Sequence, residues 1–411
     1  MRSPGGVAGV MVVHNEWPLL AASASHLLSN LVDELWVLDH QSTDQTSAGL
    51  SWLQTFWGER LNVVKLGEVP FLQAAINASV AELIRPKGFE WLYFVDADEF
   101  ALCSSGSTLR QLLANVPHDV DAVRYQVENW LAPRESPGGI LNSLPTIRFR
   151  ATPNVFVYFS GSLLSEQIES REINFFDVPF GSKLIVRPRG DLWVSAGAHA
   201  FGGEHPWREQ ELDRERFRVA HLPLLSYDRL VKRAEEGRHL IDQGFDHDHG
   251  WQSQMMARLV EHGELDSFWD RHSIGPEPLL GGALWIEDDE LAQALSPVVA
   301  NLQLHGVDTF ERPERTLLTL AAVPHDAMTS ALLRTTLSLQ QQLSAERLAG
   351  ATQLREHRES LIPIVEESAM LRLQRDELVH DRDAIRQSRT WIWVNRAAGV
   401  ARFVRRLFRR V

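Results

Sequence analysis

Polar side chains follow three short apolar runs in the first hundred residues of this 411-residue chain. They are Asn15 with Glu16, then Asp39, then Asp96 with Asp98. Carboxylates are hard oxygen ligands that suit Mg²⁺ or Mn²⁺, and these ions keep positions open for phosphate oxygens. The pattern therefore predicts a divalent cation held between the acids and a diphosphate. The alternative for any one of these acids is that it caps a helix or meets solvent where a strand ends.

Hydrophobic periodicity predicts the elements that position these side chains. Short apolar runs predict strands at 7–13, 35–38, 61–66 and 91–95, and the continuous run at 7–13 is expected of a strand covered on both faces. Helical spacing after Pro18, capping residues at 42–44 and the pattern at 71–84 predict a helix between successive strands. This β-α-β-α-β-α-β order predicts a mostly parallel sheet with helices on both faces. The polar side chains should then meet at its carboxyl edge, where open α/β sheets bind their ligands.

The remainder of the chain has a looser pattern. Further strands are predicted at 122–127, 155–159 and 183–186, a long loop at 133–153, and a helix that begins after Ser226 and ends at Gly237. Short helices and loops are expected through 241–330. Residues 331–388 predict a weak coiled coil, and 389–411 form a basic amphipathic tail. The predicted domains are 1–240, 241–330, 331–388 and 389–411.

Three ordered blocks carry a resemblance to a known family. Residues 12–16 (VVHNE), 38–44 (LDHQSTD) and 91–100 (WLYFVDADEF) resemble the family 2-like bacterial glycosyltransferases of GT-A fold. Their strands end in NE, in D-x-x-S-T-D-x-T and in DADEF, and here Gln45 replaces the usual glycine of the second block. Residues 183–188 (KLIVRP), His199 and 221–226 (HLPLLS) are also similar, although Leu222 and Leu225 replace an aromatic residue and an arginine. The resemblance covers about residues 7–235 and implies a GT-A-type α/β domain followed by a helical C-terminal region.

Carried over residue by residue, the resemblance implies roles for the polar side chains. Asn15 and Glu16 would line the nucleotide pocket, and Asp39 would bond the base or ribose. Asp96 would reach the ribose or the metal, and Asp98 would ligate the metal.

Other positions have weaker implied roles. His199 or His221 would complete the metal site, and Lys183 or Arg187 would contact phosphate. An inverting reaction needs a carboxylate that deprotonates the acceptor hydroxyl, for which Glu128 and Glu166 are candidates. Asp44 is expected to cap the following helix.

The function implied is transfer of a sugar from a nucleoside-diphosphate sugar to a saccharide or other cell-envelope acceptor, inverting and dependent on Mn²⁺ or Mg²⁺. A UDP-sugar is the default expectation for the donor. The alternative is a non-catalytic nucleotide-sugar-binding, glycan-binding or tethering protein that kept the fold. Nucleotidyl transfer is disfavoured, because no glycine-rich loop with a lysine for a triphosphate opens the sequence.

Charge and composition bound the partners and the location. A net charge of −13 argues against nucleic-acid binding. A lone cysteine, Cys103, suits a reducing compartment, and no leader pattern or long apolar run appears, so a cytoplasmic protein is expected. Against the acidic body, residues 384–411 carry eight arginines and no acid. The tail is therefore expected to contact an anionic membrane surface, with packing on the body as the alternative, and the helical region before it to support a homodimer.

Overall fold

The computed structural model describes residues 6–67, 73–104, 107–135, 138–152, 161–190, 192–203, 206–245, 250–275 and 284–307. The chain divides into two compact units, Met1–Thr335 and Thr336–Val411, and all of the described residues belong to the first. The predicted strand at 155–159, coiled coil at 331–388 and basic tail at 389–411 lie outside the described residues. The three boundaries between the four predicted domains stay predictions.

Strands form at the predicted apolar runs, with additional short strands later in the chain. They are β1 Val7–Val13, β2 Glu34–His40, β3 Leu61–Leu66, β4 Trp91–Phe94, β5 Glu99–Cys103, β6 Ala122–Leu131, β7 Phe149–Thr152, β8 Lys183–Val186, β9 Trp193–Val194, β10 Phe201–Gly202, β11 Glu209–Glu211, β12 Phe217–His221 and β13 Leu284–Glu287. The bounds of β1, β3 and β8 are those predicted.

Helices occupy the intervals predicted between the first four strands and continue through the second half. They are α1 Leu19–Asn30, α2 Thr46–Trp57, α3 Gln73–Ile84, α4 Leu109–Ala114, α5 Ile140–Ser143, α6 Gly161–Glu169, α7 Tyr227–Asp242, α8 Trp251–Glu261, α9 Leu265–His272 and α10 Glu290–Leu304. Among the described residues, no helix combines the length and the apolar character that crossing a bilayer requires.

The first four strands form a parallel sheet in the order β3-β2-β1-β4. Successive residues of β1 point into two different cores: Met11 packs with α1 and α2, and Val10 packs with α3. Helices therefore cover both faces, which is why β1 is apolar at almost every position. The predicted α/β class is confirmed.

Beyond β4 the sheet becomes mixed. Strand β8 is inserted antiparallel between β4 and β6, and β7 and β13 extend that side, also antiparallel. Strand β12 runs parallel to β6 and antiparallel to β5. Because β12 is paired with the strand that follows the acidic turn, the end of β12 lies beside that turn.

A third core lies under α7, α8 and α9, with Leu230, Met255 and Phe268 among its buried residues. The prediction that α7 ends at Gly237 is wrong, since the helix continues to Asp242. Gly237 is instead the point where α7 approaches α8: a Cβ there would lie 1.9 Å from the carbonyl oxygen of Ser253. The glycine permits close packing of two helices and does not end one.

Replacing Gly237 by alanine tests this packing. The sign of the change in the free energy of unfolding shows whether α7 and α8 approach each other closely at this residue. At an ordinary helix position the change stabilises by about 1 kcal/mol, because glycine is the poorer helix former. Here the added Cβ meets backbone atoms, so we expect Gly237→Ala to lower the free energy of unfolding by about 1–3 kcal/mol in chemical denaturation.

Glu235→Ala, at an exposed position of the same helix, is the control and should change stability by no more than about 0.5 kcal/mol. A Gly237→Ala protein more stable than the parent would contradict the close approach of α7 and α8.

Candidate active site

The turn between β4 and β5 carries Asp96 and Asp98 at the carboxyl edge of the parallel sheet. Strand pairing sets His221 opposite Glu99, and the next residue, Leu222, donates its backbone N–H to the carbonyl of Asp98 at 2.9 Å. The end of β12 is thereby fastened to the acidic turn. This brings together two residues that are far apart in sequence, Asp98 and His221.

The Asp98 carboxylate is buried among cationic and imidazole groups. Its Oδ2 atom accepts a hydrogen bond from Arg233 Nη2 at 2.8 Å and lies 3.7 Å from Arg229 Nη2. Its Oδ1 atom lies 3.8 Å from His221 Nε2. Burial alone would raise the pKa of Asp98, but His221, Arg233 and Arg229 together lower it. Asp98 is therefore a carboxylate at neutral pH.

His221 is a neutral imidazole with one nitrogen open. Burial is the largest influence on its pKa and lowers it to about 4. Its Nδ1 atom lies 2.8 Å from Asn129 Oδ1, and an amide oxygen can only accept, so Nδ1 carries the proton. The Nε2 lone pair then faces Asp98 Oδ1.

A nitrogen lone pair and a carboxylate oxygen 3.8 Å apart fit two ligands of one divalent cation. Within the part of the chain that the structure describes, no group of three or more His, Cys, Asp or Glu side chains has metal-binding geometry. The remaining positions of such an ion would therefore fall to phosphate oxygens and water, as Mg²⁺ and Mn²⁺ prefer.

Asp96 has a different environment, because it belongs to a buried ion-pair cluster. Lys183 from β8 lies 2.7 Å from Asp96 Oδ2 and 2.5 Å from Glu99 Oε1. The Lys183 side chain is only 2% exposed and that of Glu99 is fully buried, whereas 38% of the Asp96 side chain is exposed. Burial alone would lower the pKa of Lys183, but the two carboxylates outweigh it and raise the pKa. Lys183 thus pairs with Asp96 from the buried side of the turn. Its predicted contact with phosphate stays a prediction.

The loops after β1 and β2 are tied to each other through Asn15. This residue has a positive φ of 56°, and its Oδ1 atom accepts from the backbone N–H groups of Thr43 at 2.7 Å and Asp44 at 3.0 Å. Asp44 in turn accepts from the N–H of Thr46 at 2.8 Å, where α2 begins. Asn15 therefore shapes the loop that precedes α2.

Asp39 and Glu16 are also held by the chain itself. The buried Asp39 accepts from the N–H of Ser42 at 3.1 Å and from the hydroxyl of Ser47. Glu16 pairs with Arg229. Their predicted contacts with a nucleotide stay predictions.

An open cleft of about 850 Å³ adjoins the acidic turn on the side of His221. His199, Phe180, Trp251 and Gln252 are among the residues that line it. The Nδ1 atom of His199 lies 2.9 Å from the Ser182 carbonyl, and burial lowers the pKa of the imidazole. Of the two histidines predicted for the metal, His221 is the one within ion-pair distance of Asp98.

The two carboxylates predicted as candidate bases are not among the residues that line this cleft. Glu128 is buried and surrounded by Arg214 at 2.5 Å, Arg218 at 3.5 Å and Arg150 at 3.8 Å. Arg218 and Arg150 also pair with Asp288, the residue after β13, so this network joins the end of the sheet to its middle. Glu166 lies in α6. Their role as a base stays a prediction.

Arg187 is held away from the acidic turn. Its guanidinium lies 3.9 Å from the centroid of the Trp91 ring, pairs with Glu90 and donates to the carbonyl of Val120 at 2.9 Å. With that side chain buried, its contacts are structural ones.

Three cations of α7 that point at the acidic edge were missed by sequence reasoning. Arg229 pairs with Glu16, Lys232 donates to the Asn15 carbonyl, and Arg233 binds Asp98. Their i, i+3, i+4 spacing places them on one helix face, directly after a block that resembles the family. This spacing is the sequence feature from which the three cations could have been assigned to the site.

Removing Lys183 tests the buried cluster. Lys183→Met takes the shared cation away from Asp96 and from the fully buried Glu99, whose pKa burial raises to about 8 even beside Lys183. At about pH 9, where Glu99 is ionised in the parent, we expect a loss of about 3–5 kcal/mol in the free energy of unfolding. The double variant Lys183→Met/Glu99→Gln removes both charges and should recover part of that loss in the same denaturation experiment. A double variant no more stable than Lys183→Met would contradict the pairing.

Comparisons with known proteins give this geometry a context. Residues 10–139 match the model of the family described as glycosyl transferase family 2. No curated protein matches the chain significantly. Among solved structures, S. aureus TarS 1–349 is 14% identical, with 62% of this chain and 70% of that chain covered and a TM-score of 0.31. Glucosyl-3-phosphoglycerate synthase from Mycobacterium tuberculosis, solved with Mn²⁺, UDP and phosphoglyceric acid, is 16% identical. It covers 44% of this chain and 56% of that chain, with a TM-score of 0.23.

These structural similarities are too low to say anything about activity. The family match is independent of them and covers the segment with the first parallel strands and the acidic turn. The matched segment contains all three sequence blocks, 12–16, 38–44 and 91–100, in which the resemblance was found. The match of residues 10–139 to glycosyl transferase family 2 confirms the predicted resemblance to the family 2-like glycosyltransferases, while the subgroup with the NE, D-x-x-S-T-D and DADEF blocks stays a prediction.

Proposed function

We propose that the chain transfers a sugar from a nucleoside-diphosphate sugar to a saccharide or other cell-envelope acceptor, with inversion and with Mn²⁺ or Mg²⁺. The observation that carries the proposal is the Asp98 carboxylate beside the unprotonated Nε2 of His221. It lies at the carboxyl edge of the parallel sheet, the edge at which such sheets bind ligands. The match of residues 10–139 to glycosyl transferase family 2 supports the class of reaction.

Each side chain of the site has a role in this proposal. Asp98 and His221 would hold the cation, and Asp96, which pairs with Lys183, would accept hydrogen bonds from ribose hydroxyls. When bound, the cation neutralises charge that develops on the leaving diphosphate. Arg229 and Arg233 add positive charge at the same place, where a cation in a water-poor site stabilises a transition state more than it would in water.

The acceptor is assigned to the cleft of about 850 Å³ beside His221. Phe180 and Trp251 offer aromatic faces to sugar rings, and Gln252 offers hydrogen bonds to hydroxyls. Glu128 or Glu166 remains the proposed base. A UDP-sugar is the donor that we propose to test first.

Asp98→Asn tests the metal. The change keeps the size of the side chain and removes its charge, so we expect release of diphosphate from a panel of nucleotide sugars with Mn²⁺ to fall by at least about a hundredfold. Asp242→Asn, the same change at the exposed end of α7, should retain full activity. Full activity of the parent protein in EDTA would contradict metal dependence.

The same panel separates the enzyme from a non-catalytic binding or tethering protein. That alternative is favoured by the hydrogen bond from Arg233 to Asp98, which satisfies the carboxylate without any metal. Nucleotide binding without turnover of any sugar in the panel would support the alternative.

The C-terminal segments carry proposals from the sequence alone. Residues 389–411 alternate arginines with tryptophan and aliphatic residues, a composition that suits the surface of an anionic bilayer. Each arginine near such a surface contributes about 1 kcal/mol. Residues 331–388, which the sequence predicts to be helical, are proposed to pair two chains, which would strengthen binding through avidity.

Flotation with liposomes tests the tail. We expect the whole protein to float with vesicles that contain anionic lipid, and a chain that ends at Ser388 to stay at the bottom. Neutral vesicles are the control, because the arginines should give no attraction to them. Equal flotation of the two proteins, or flotation of neither, would exclude the tail as a membrane anchor.

A further inference from the structure

Arg233 occupies the carboxylate that the proposed metal needs. Its Nη2 atom donates to Asp98 Oδ2 at 2.8 Å, while the other carboxylate oxygen faces His221. An ion bound by Asp98 and His221 would lie about 2 Å from each ligand atom. Such an ion and the Arg233 guanidinium would then share one carboxylate. Two cations on one anion repel each other, so each weakens the binding of the other.

The surroundings of Arg233 allow it to leave Asp98. Its side chain is 22% exposed, and its other hydrogen bond among the described residues is to the Pro223 carbonyl at 3.2 Å. Lys183, the cation of the neighbouring aspartate, is 2% exposed and bound to two carboxylates. Arg233 is thus the exchangeable cation of the acidic turn.

A guanidinium that leaves Asp98 has a natural partner in a phosphate group, which it can bind through two parallel hydrogen bonds. Arg229, one helical turn away, adds a second guanidinium, 12% exposed, whose Nε has no hydrogen-bond partner among the described residues. Lys232 lies on the same helix face. An anion beside Asp98 would therefore meet two guanidinium groups and one ammonium group.

We propose that Arg233 is a positioning cation that exchanges between Asp98 and the donor diphosphate. Without donor it binds Asp98 and holds the metal affinity low. When metal takes Asp98, Arg233 moves to a phosphate oxygen, so metal and nucleoside diphosphate bind cooperatively. The inference rests on the proposed function, because it needs a metal at Asp98.

Binding measurements test this exchange without catalysis. The affinity of Mn²⁺ is measured by calorimetry in the absence and presence of saturating UDP, and the affinity of UDP with and without Mn²⁺. Thermodynamic linkage requires UDP to change the affinity for Mn²⁺ by the same factor as Mn²⁺ changes the affinity for UDP. We expect this factor to be about ten or more, in the direction of tighter binding. In Arg233→Met, Mn²⁺ alone should bind several-fold tighter than in the parent. The mutual tightening should fall to the part that direct coordination of the diphosphate by the ion supplies.

Arg238→Met is the matched control, since this arginine of α7 pairs with the exposed Glu261, and it should behave as the parent protein. Arg233→Gln is a second variant in case the methionine variant does not fold. Unchanged Mn²⁺ affinity in both Arg233 variants, or undiminished tightening, overturns the exchange.

Asp98→Asn separates the two levels of the argument. Loss of Mn²⁺ binding in this variant places the metal at Asp98, and an unchanged Arg233 variant then overturns the exchange alone. Mn²⁺ binding that survives in Asp98→Asn, or a parent protein that binds neither Mn²⁺ nor UDP, overturns the metal site of the proposed function and the exchange with it.

Discussion

Compensation of buried negative charge is the constraint on which the site depends. The turn after β4 brings Asp96, Asp98 and Glu99 within a few residues of each other, and two of these carboxylates are buried. An uncompensated charge in such a place costs several kcal/mol. Ion pairs compensate these charges, with Lys183 on one side of the turn and the arginines of α7 on the other. Insertion of β8 beside β4 and the direction of α7 after β12 are therefore requirements of the acidic turn as well as features of packing.

Local patterns were enough to predict the parallel half of the sheet. Strand β1 is apolar on both faces because two cores meet it, and that doubling is visible in the sequence as an unbroken run. Pro18 marks the start of α1, and the acids at 96 and 98 follow a strand that is buried throughout. Fold class and the existence of an acidic edge therefore follow from local signals, each of which lies within one strand or helix and the turn next to it.

Other features depend on contacts between distant segments, and no local pattern contains them. Strand β8 was predicted as an apolar run, but its antiparallel place between β4 and β6 depends on where the chain returns to the sheet. Gly237 carries the usual signal for the end of a helix, yet its neighbour is the backbone of α8. Arg233 reaches Asp98 across 135 positions of sequence, so its role depends on the path of α7.

The two aspartates of the turn look alike in sequence and differ in chemistry. Asp96 shares the 2%-exposed Lys183 with the fully buried Glu99, whose pKa burial raises to about 8 despite this pairing, so departure of Lys183 would leave two acids without their cation. Asp98 is compensated by Arg233, which is partly exposed and whose departure strands no further acid. Its second oxygen already faces the open nitrogen of His221. A site that must accept a cation needs one carboxylate that can change partners and a neighbour that stays in place. The unequal burial of Lys183 and Arg233 divides those two roles between Asp98 and Asp96.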